Sequence, residues 1–192
     1  VLPKLPVEFQ EKIKRFRRWQ DAQVSILGRV LLLEGMREIY RCNTEDLSIK
    51  YTAHNKPFFE NSLIKFNISH SGEIVVCAFS ADLDLGIDIE FLADIQIEDF
   101  YSQMTENEME VIRSSNDAKI AFFDYWTQKE AVLKAYGNGL SVSLQSFEIL
   151  EKRTNINGQN YFLQEVHIEK NYKCYISQKI PINDFSIKKI KK

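Results

Sequence analysis

Two runs of this chain carry residue types that do chemistry: Gly86-Ile87-Asp88-Ile89-Glu90 and, about forty residues on, Trp126-Thr127-Gln128-Lys129-Glu130-Ala131-Val132-Leu133-Lys134. Together they can assemble three carboxylates and one of their two lysines around a metal-bound phosphate. In the first run Ile87, Ile89 and Phe91 alternate with Asp88 and Glu90. That is the period of a half-buried strand, so both carboxylates leave one face of the backbone. Like charges on one face repel, and a cation between them relieves the repulsion. Taken alone, the run also reads as two solvated acids at a strand end.

The second run reads as a helix. Phe122, Phe123, Trp126, Val132 and Leu133 give it apolar surface, Gly137 supplies a stop, and Glu130 and Lys134 lie one turn apart on one face. By themselves the last two read as a surface pair stabilising the helix by ~0.3 kcal/mol, and it is the combination with the other run that shifts the reading. A third stretch, Phe66-Asn67-Ile68-Ser69-His70-Ser71-Gly72, ends a predicted strand with a polar Ser-His-Ser group, ahead of an apolar strand over 74–79. Asn55-Lys56-Pro57 stands upstream of it.

These residues need elements to hold them. The pattern predicts helix over 8–19, crowded with Lys12, Lys14, Arg15, Arg17 and Arg18, continuing over 21–40. Short strands follow over 49–53, 63–68, 74–80 and 85–91. The second half restarts with the capping-box signature Thr105-Glu106-Asn107-Glu108 and a long helix over 117–136. Strands over 147–151 and 161–167 then flank the turn signal Asn157-Gly158, with another over 173–180.

With 192 residues, 44% hydrophobic and 27% charged, the chain can bury a sizeable core as one unit or two small subdomains. A net charge of -2 argues against a general nucleic-acid binder. Cys42, Cys77 and Cys174 are odd in number and unpaired in spacing, which fits a reducing cytoplasm and suggests neither disulfides nor a thiolate zinc site. No apolar run approaches the ~20 residues of a membrane span, and no leader pattern opens the chain. It begins at Val1 rather than Met, which leaves open a missing or processed N-terminus.

The blocks Asn67-Ile68-Ser69-His70-Ser71, Gly86-Ile87-Asp88-Ile89-Glu90 and Trp126-x-x-Lys129-Glu130-Ala131-x-x-Lys134 follow in the order and spacing of the 4'-phosphopantetheinyl transferases. The chain resembles the monomeric type that activates surfactin synthetase. The likeness also takes in Lys56-Pro57, residues 12–28 and Gly137-Asn138-Gly139-Leu140, and reaches about Ser143; beyond it lies a β-rich tail. The pattern departs at Asn55, where glycine is common, a change that matters only if the backbone there needs positive φ, which asparagine tolerates. A leading strand seen in relatives has no clear counterpart before Pro6.

The resemblance implies an α+β fold of two similar subdomains, here 1–91 and 92–192, related by a pseudo-twofold with a coenzyme A cleft between them. It implies magnesium-dependent transfer of the phosphopantetheine arm of coenzyme A to a serine of an apo acyl, peptidyl or aryl carrier protein, by a cytoplasmic monomer without nucleic-acid or membrane partners. Asp88, Glu90 and Glu130 would hold Mg²⁺, and Glu130 or a water on it would accept the seryl proton. Lys134 would meet the pyrophosphate. Lys12 and Lys56 would meet the 3'-phosphate, Pro57 would edge the adenine, Ser69 would lie beside the nucleotide, and His70 would donate to a phosphate. Lys129 would touch phosphate or be solvated. A metal-dependent phosphohydrolase and a non-catalytic carrier-binding module stay open as alternatives, and the sequence does not name the carrier.

Overall fold

The computed structural model describes residues 5–44 and 47–190, so Val1 lies outside it. The chain is a mixed α+β structure, as expected. Helices α1 (Val7–Lys14) and α2 (Trp19–Tyr40) are separated by a break at residues 15–18. Continuing the helix would stack Lys14, Arg17 and Arg18 at repelling spacings. Leu5, Phe9 and Ile13 instead fold back onto Ala22, Ile26 and Leu33 of α2.

Strands β1 (Ile49–Tyr51) and β2 (Pro57–Phe59) form a small hairpin, of which β2 was not anticipated. Its turn needs one left-handed residue, and Asn55 supplies it at φ 61°. After glycine, asparagine is the residue that best tolerates this conformation.

Strands β3 (Lys65–Ser71) and β4 (Ile74–Ser80) pair in register from Lys65↔Ser80 to Ser71↔Ile74. The strand expected to stop at residue 68 therefore runs on through Ser69-His70-Ser71. Leu32 and Met36 of α2 pack with Phe66 of β3 and Phe59 of β2, placing α2 on one face of this hairpin.

The main sheet is antiparallel, in the order β5-β8-β7-β6. It comprises β5 (Leu85–Phe91), β6 (Arg153–Ile156), β7 (Gln159–Glu165) and β8 (Tyr172–Gln178). Every residue of β5 pairs with β8, from Leu85↔Gln178 to Phe91↔Tyr172, so the sheet joins residues on both sides of position 91. Asn157 and Gly158, at φ 51° and 82°, make the anticipated tight turn. The strand before that turn is β6 rather than the expected 147–151, because Glu151 and Lys152 adopt φ 49° and 58° and bend the chain at Leu150–Arg153. Phe147 and Ile149 are nonetheless buried.

Helix α3 (Glu106–Ser114) carries the full capping box of Thr105 with Glu108. Helix α4 (Ala118–Tyr136) starts at Asp117, whose side chain accepts from the Ile120 N–H, and ends at Gly137, φ 85°. It lies across the main sheet, where Ala131, Val132, Leu133 and Ala135 join Phe147, Ile149, Ile156, Tyr161, Leu163 and Tyr175 in one core. Each large apolar side chain buried there contributes about 1.5–3 kcal/mol. Gly86 lets the helix sit directly on β5: a Cβ there would stand 2.1 Å from the Ala131 carbonyl oxygen and 2.3 Å from the Ala135 nitrogen. Among the described residues no helix is long and apolar enough to cross a membrane.

Candidate active site

Strands β3 and β5 belong to separate sheets, and side chains of β3 take the place of a backbone ladder between them. The N–H groups of Ile87, Ile89 and Phe91 donate to Asn67 Oδ1 (2.9 Å), Ser69 Oγ (3.4 Å) and Ser71 Oγ (3.0 Å). Alternation on both strands presents one acceptor to each free N–H, which is the backbone reason for the Asn-x-Ser-x-Ser pattern. The two serines then donate onward, Ser69 to Asp88 Oδ1 and Ser71 to Glu90 Oε2, both at 2.8 Å. Asn67 and Ser71 are functional neighbours that sequence reasoning missed, and their period-2 spacing was the available signal.

Trp126, Glu130 and Lys134 recur every four residues along α4 and share the face turned to β5. Lys134 Nζ donates to Asp88 Oδ1 at 2.6 Å and to Ser69 Oγ at 2.9 Å. Trp126 Nε1 donates to Glu90 Oε1 at 3.2 Å, a polar role that its reading as apolar surface overlooked. Asp88 is 3% exposed, and its second oxygen, Oδ2, is buried without a partner among the described residues.

All three carboxyls are held above the ordinary range. Burial is the first cause for each; the Asp88 charge adds to it at Glu90 and Glu130, and Lys134 opposes it at all three. Among the described residues, no three His, Cys, Asp or Glu side chains stand ready as placed to hold one ion. The donor chemistry still fits a hard divalent cation, which takes oxygen ligands. An orphaned carboxylate oxygen and acids short of positive charge are what such a cation would satisfy.

The pH dependence has a definite sign. A carboxyl more easily protonated in the folded state adds stability that is complete below its unfolded value, about 4, and is lost as pH rises through the raised folded value. Glu130→Gln cannot ionise. In metal-free protein it should raise the melting temperature at neutral pH and have little effect near pH 4. A melting difference that stays constant across that range would mean Glu130 feels no such crowding.

The other anticipated residues fall around this cluster rather than within it. Lys56 Nζ donates to the carbonyls of Leu85 (3.2 Å) and Ala135 (3.4 Å), tying the β1–β2 turn to the C-terminal end of α4, and burial lowers its pKa. Pro57 pairs with Tyr51, and the exposed Lys12 lies with its ammonium 5.4 Å from the Tyr51 ring centre. His70 is exposed, and strand alternation sets it on the face of β3 opposite Ser69 and Ser71. His54 and His167 are also exposed.

Lys129 is neither solvated nor near the carboxylate cluster. It is fully buried and paired with Glu108 at 2.7 Å. All three cysteines are free, and burial pushes the Cys77 and Cys174 thiols up, the latter to about 12, so neither is a thiolate nucleophile.

Comparison with known proteins gives a consistent result. A family model described as 4'-phosphopantetheinyl transferase superfamily matches residues 84–187, and one described as 4'-phosphopantetheinyl transferase, N-terminal, matches residues 1–82. The 4'-phosphopantetheinyl transferase gsp of Aneurinibacillus migulanus is 34% identical over 175 residues, covering 87% of this chain and 73% of that protein. The 4'-phosphopantetheinyl transferase Sfp of Bacillus subtilis (strain 168) is 34% identical over 146 residues, covering 74% of this chain and 64% of that protein. The chain thus spans less than two thirds of the length of the second relative. The crystal structure of Thermotoga maritima holo-[acyl-carrier-protein] synthase aligns with a TM-score of 0.41 at 18% identity, over 50% of this chain and 62% of that one.

Proposed function

Because the chain belongs to the 4'-phosphopantetheinyl transferase superfamily, we propose that it transfers the 4'-phosphopantetheine arm of coenzyme A to a serine of an apo acyl, peptidyl or aryl carrier protein, releasing adenosine 3',5'-bisphosphate. The observation that carries this reading is the meeting of Lys134 with Asp88 at 2.6 Å, beside an unpartnered Asp88 Oδ2 and two further carboxyls crowded enough to be pushed up. A seryl oxygen attacking phosphorus must approach a group already flanked by negative oxygens, so alignment and charge neutralisation dominate the barrier.

Asp88, Glu90 and Glu130 are the residues that would hold Mg²⁺. When bound, such an ion supplies Lewis-acid stabilisation of charge on the phosphate oxygens. Ser71 and Trp126 fix the Glu90 carboxylate from two sides, and Ser69 fixes Asp88. Lys134, which here neutralises Asp88, turns its ammonium to the pyrophosphate and stabilises the leaving bisphosphate. Glu130, or a water held by it, takes the seryl proton on an oxygen.

The nucleotide lies against the β1–β2 hairpin and β3, in a cleft between the halves 1–91 and 92–192 that share β5 as their seam. Lys12 and Lys56 meet the 3'-phosphate, His70 donates to a phosphate, and Ser69 and Pro57 flank the nucleotide. Lys56 spends two of its three donors on carbonyls, leaving one for that contact. The enzyme works as a cytoplasmic monomer; its three free thiols are in keeping with a reducing compartment, and its net charge of -2 with the lack of a nucleic-acid partner.

The test is to incubate the protein with coenzyme A, Mg²⁺ and a panel of apo carriers and to follow intact mass. A phosphopantetheine adduct on a carrier serine is expected. No adduct on any carrier, with the protein folded, overturns the proposal, and breakdown of coenzyme A without a carrier would identify a phosphohydrolase. Within the same assay Lys134→Ala should lower turnover by about two orders of magnitude, the scale of a lost electrostatic contact in a water-poor site. A surface pair would lose only a few tenths of a kcal/mol of stability and nothing in rate.

A further inference from the structure

Lys129 directly precedes Glu130, yet its side chain leaves α4 on another side and spends every donor inside the protein. Its Nζ pairs with Glu108 Oε2 at 2.7 Å and donates to the carbonyls of Leu144 (2.7 Å) and Phe147 (2.8 Å). Glu108 answers with both oxygens: Oε2 also accepts the Thr105 N–H of the α3 cap at 2.9 Å, and Oε1 accepts the Ile149 N–H at 3.0 Å. The two residues are 0% and 1% exposed. One ionic knot therefore ties α4 to the first turn of α3 and to the segment 144–149.

A buried ion pair is a poor source of net stability, because desolvation offsets the attraction and uncharged replacements are often neutral. What such a pair supplies well is registry. Its partners are held by several hydrogen bonds of fixed geometry, whereas apolar contacts tolerate sliding. Registry matters here because Glu130 and Lys134 reach the β5 carboxylates only at one rotation and one height of α4.

We propose that Lys129 is a positioning residue which, through Glu108, sets the rotation and height of α4 so that Glu130 and Lys134 face Asp88 and Glu90. The inference rests on the reading of Glu130 and Lys134 as groups that act on coenzyme A. It explains why a lysine that never meets solvent or substrate stands between Trp126 and Glu130.

Lys129→Met alone strands a buried Glu108 charge, so the decisive variant is Lys129→Met with Glu108→Gln, which keeps volume and removes both charges, while it costs one of the acceptors for the Thr105 and Ile149 N–H groups and the donor to the Leu144 and Phe147 carbonyls. The backbone groups left unpaired should lower its melting temperature, so kcat is read per folded molecule, well below that temperature. Its KM for coenzyme A should change little, while kcat falls about tenfold or more, since small misplacements at a reacting centre cost up to 10²-fold. Registry can also be read without turnover, as the coupling between Asp88→Asn and Lys134→Met in melting temperature. That coupling should be present in the parent and vanish in the charge-free background. Coupling lost in a protein that modifies no carrier would fell the transferase reading and leave the positioning role standing. Parental coupling together with parental kcat per folded molecule overturns it, leaving the pair as packing alone.

Discussion

Turnover of the Asp88→Asn protein is expected to fall by about 10²- to 10³-fold with the fold retained, on the scale of a lost preorganised electrostatic group. Asparagine keeps the volume and leaves one oxygen to accept from Ser69 and Lys134, which bond Asp88 Oδ1 at 2.8 and 2.6 Å. It replaces the orphaned Oδ2 with an amide that donates, reversing the polarity at one of the positions proposed to hold the cation. Stability should change far less than rate, because the burial cost that pushes the Asp88 carboxyl up disappears together with its attraction to Lys134. Intact-mass assays on an apo carrier, with melting curves alongside, read both effects. Turnover within tenfold of the parent would remove Asp88 from the chemistry.

Gly86→Ala should do its damage through the backbone. The added Cβ would lie 2.1 Å from the Ala131 oxygen, 2.3 Å from the Ala135 nitrogen and 2.9 Å from the Lys134 carbonyl carbon. All are backbone atoms of α4, so no side chain can rotate away, and the helix itself must lift from β5. Overpacking a core typically costs 1–3 kcal/mol and occasionally more, and about 3 kcal/mol is expected here. Lifting the helix also parts Lys134 from Asp88, so turnover per folded molecule should fall as well. Urea unfolding with a carrier assay on the folded fraction measures both. Parental values for the two would mean that α4 and β5 do not approach so closely.

Local pattern was enough for much of this protein. The alternation of Ile87, Asp88, Ile89 and Glu90 placed both acids on one face of a strand, and the Gly137 stop marked the end of α4. Thr105 and Glu108 marked α3, and Asn157-Gly158 marked a hairpin. In each case the determining interactions lie within a few residues, through sterics of φ, capping hydrogen bonds or side-chain period, so a linear reading has access to all of them.

Tertiary structure alone decided who meets whom. The side chains of Asn67, Ser69 and Ser71 serve backbone N–H groups 20 residues away, and Lys134 reaches Asp88 across 46. Residue types told that Lys129 carries a charge but not that Glu108 would take it out of water. Periodicity gave the run 8–19 a helical face but not the contact with α2 that folds α1 back at Lys14. A short-range signal reports what a segment can do by itself. Burial, the partner of a charge and the approach of one backbone to another are set by long-range packing, which the chain acquires only when the sheet closes beneath α4.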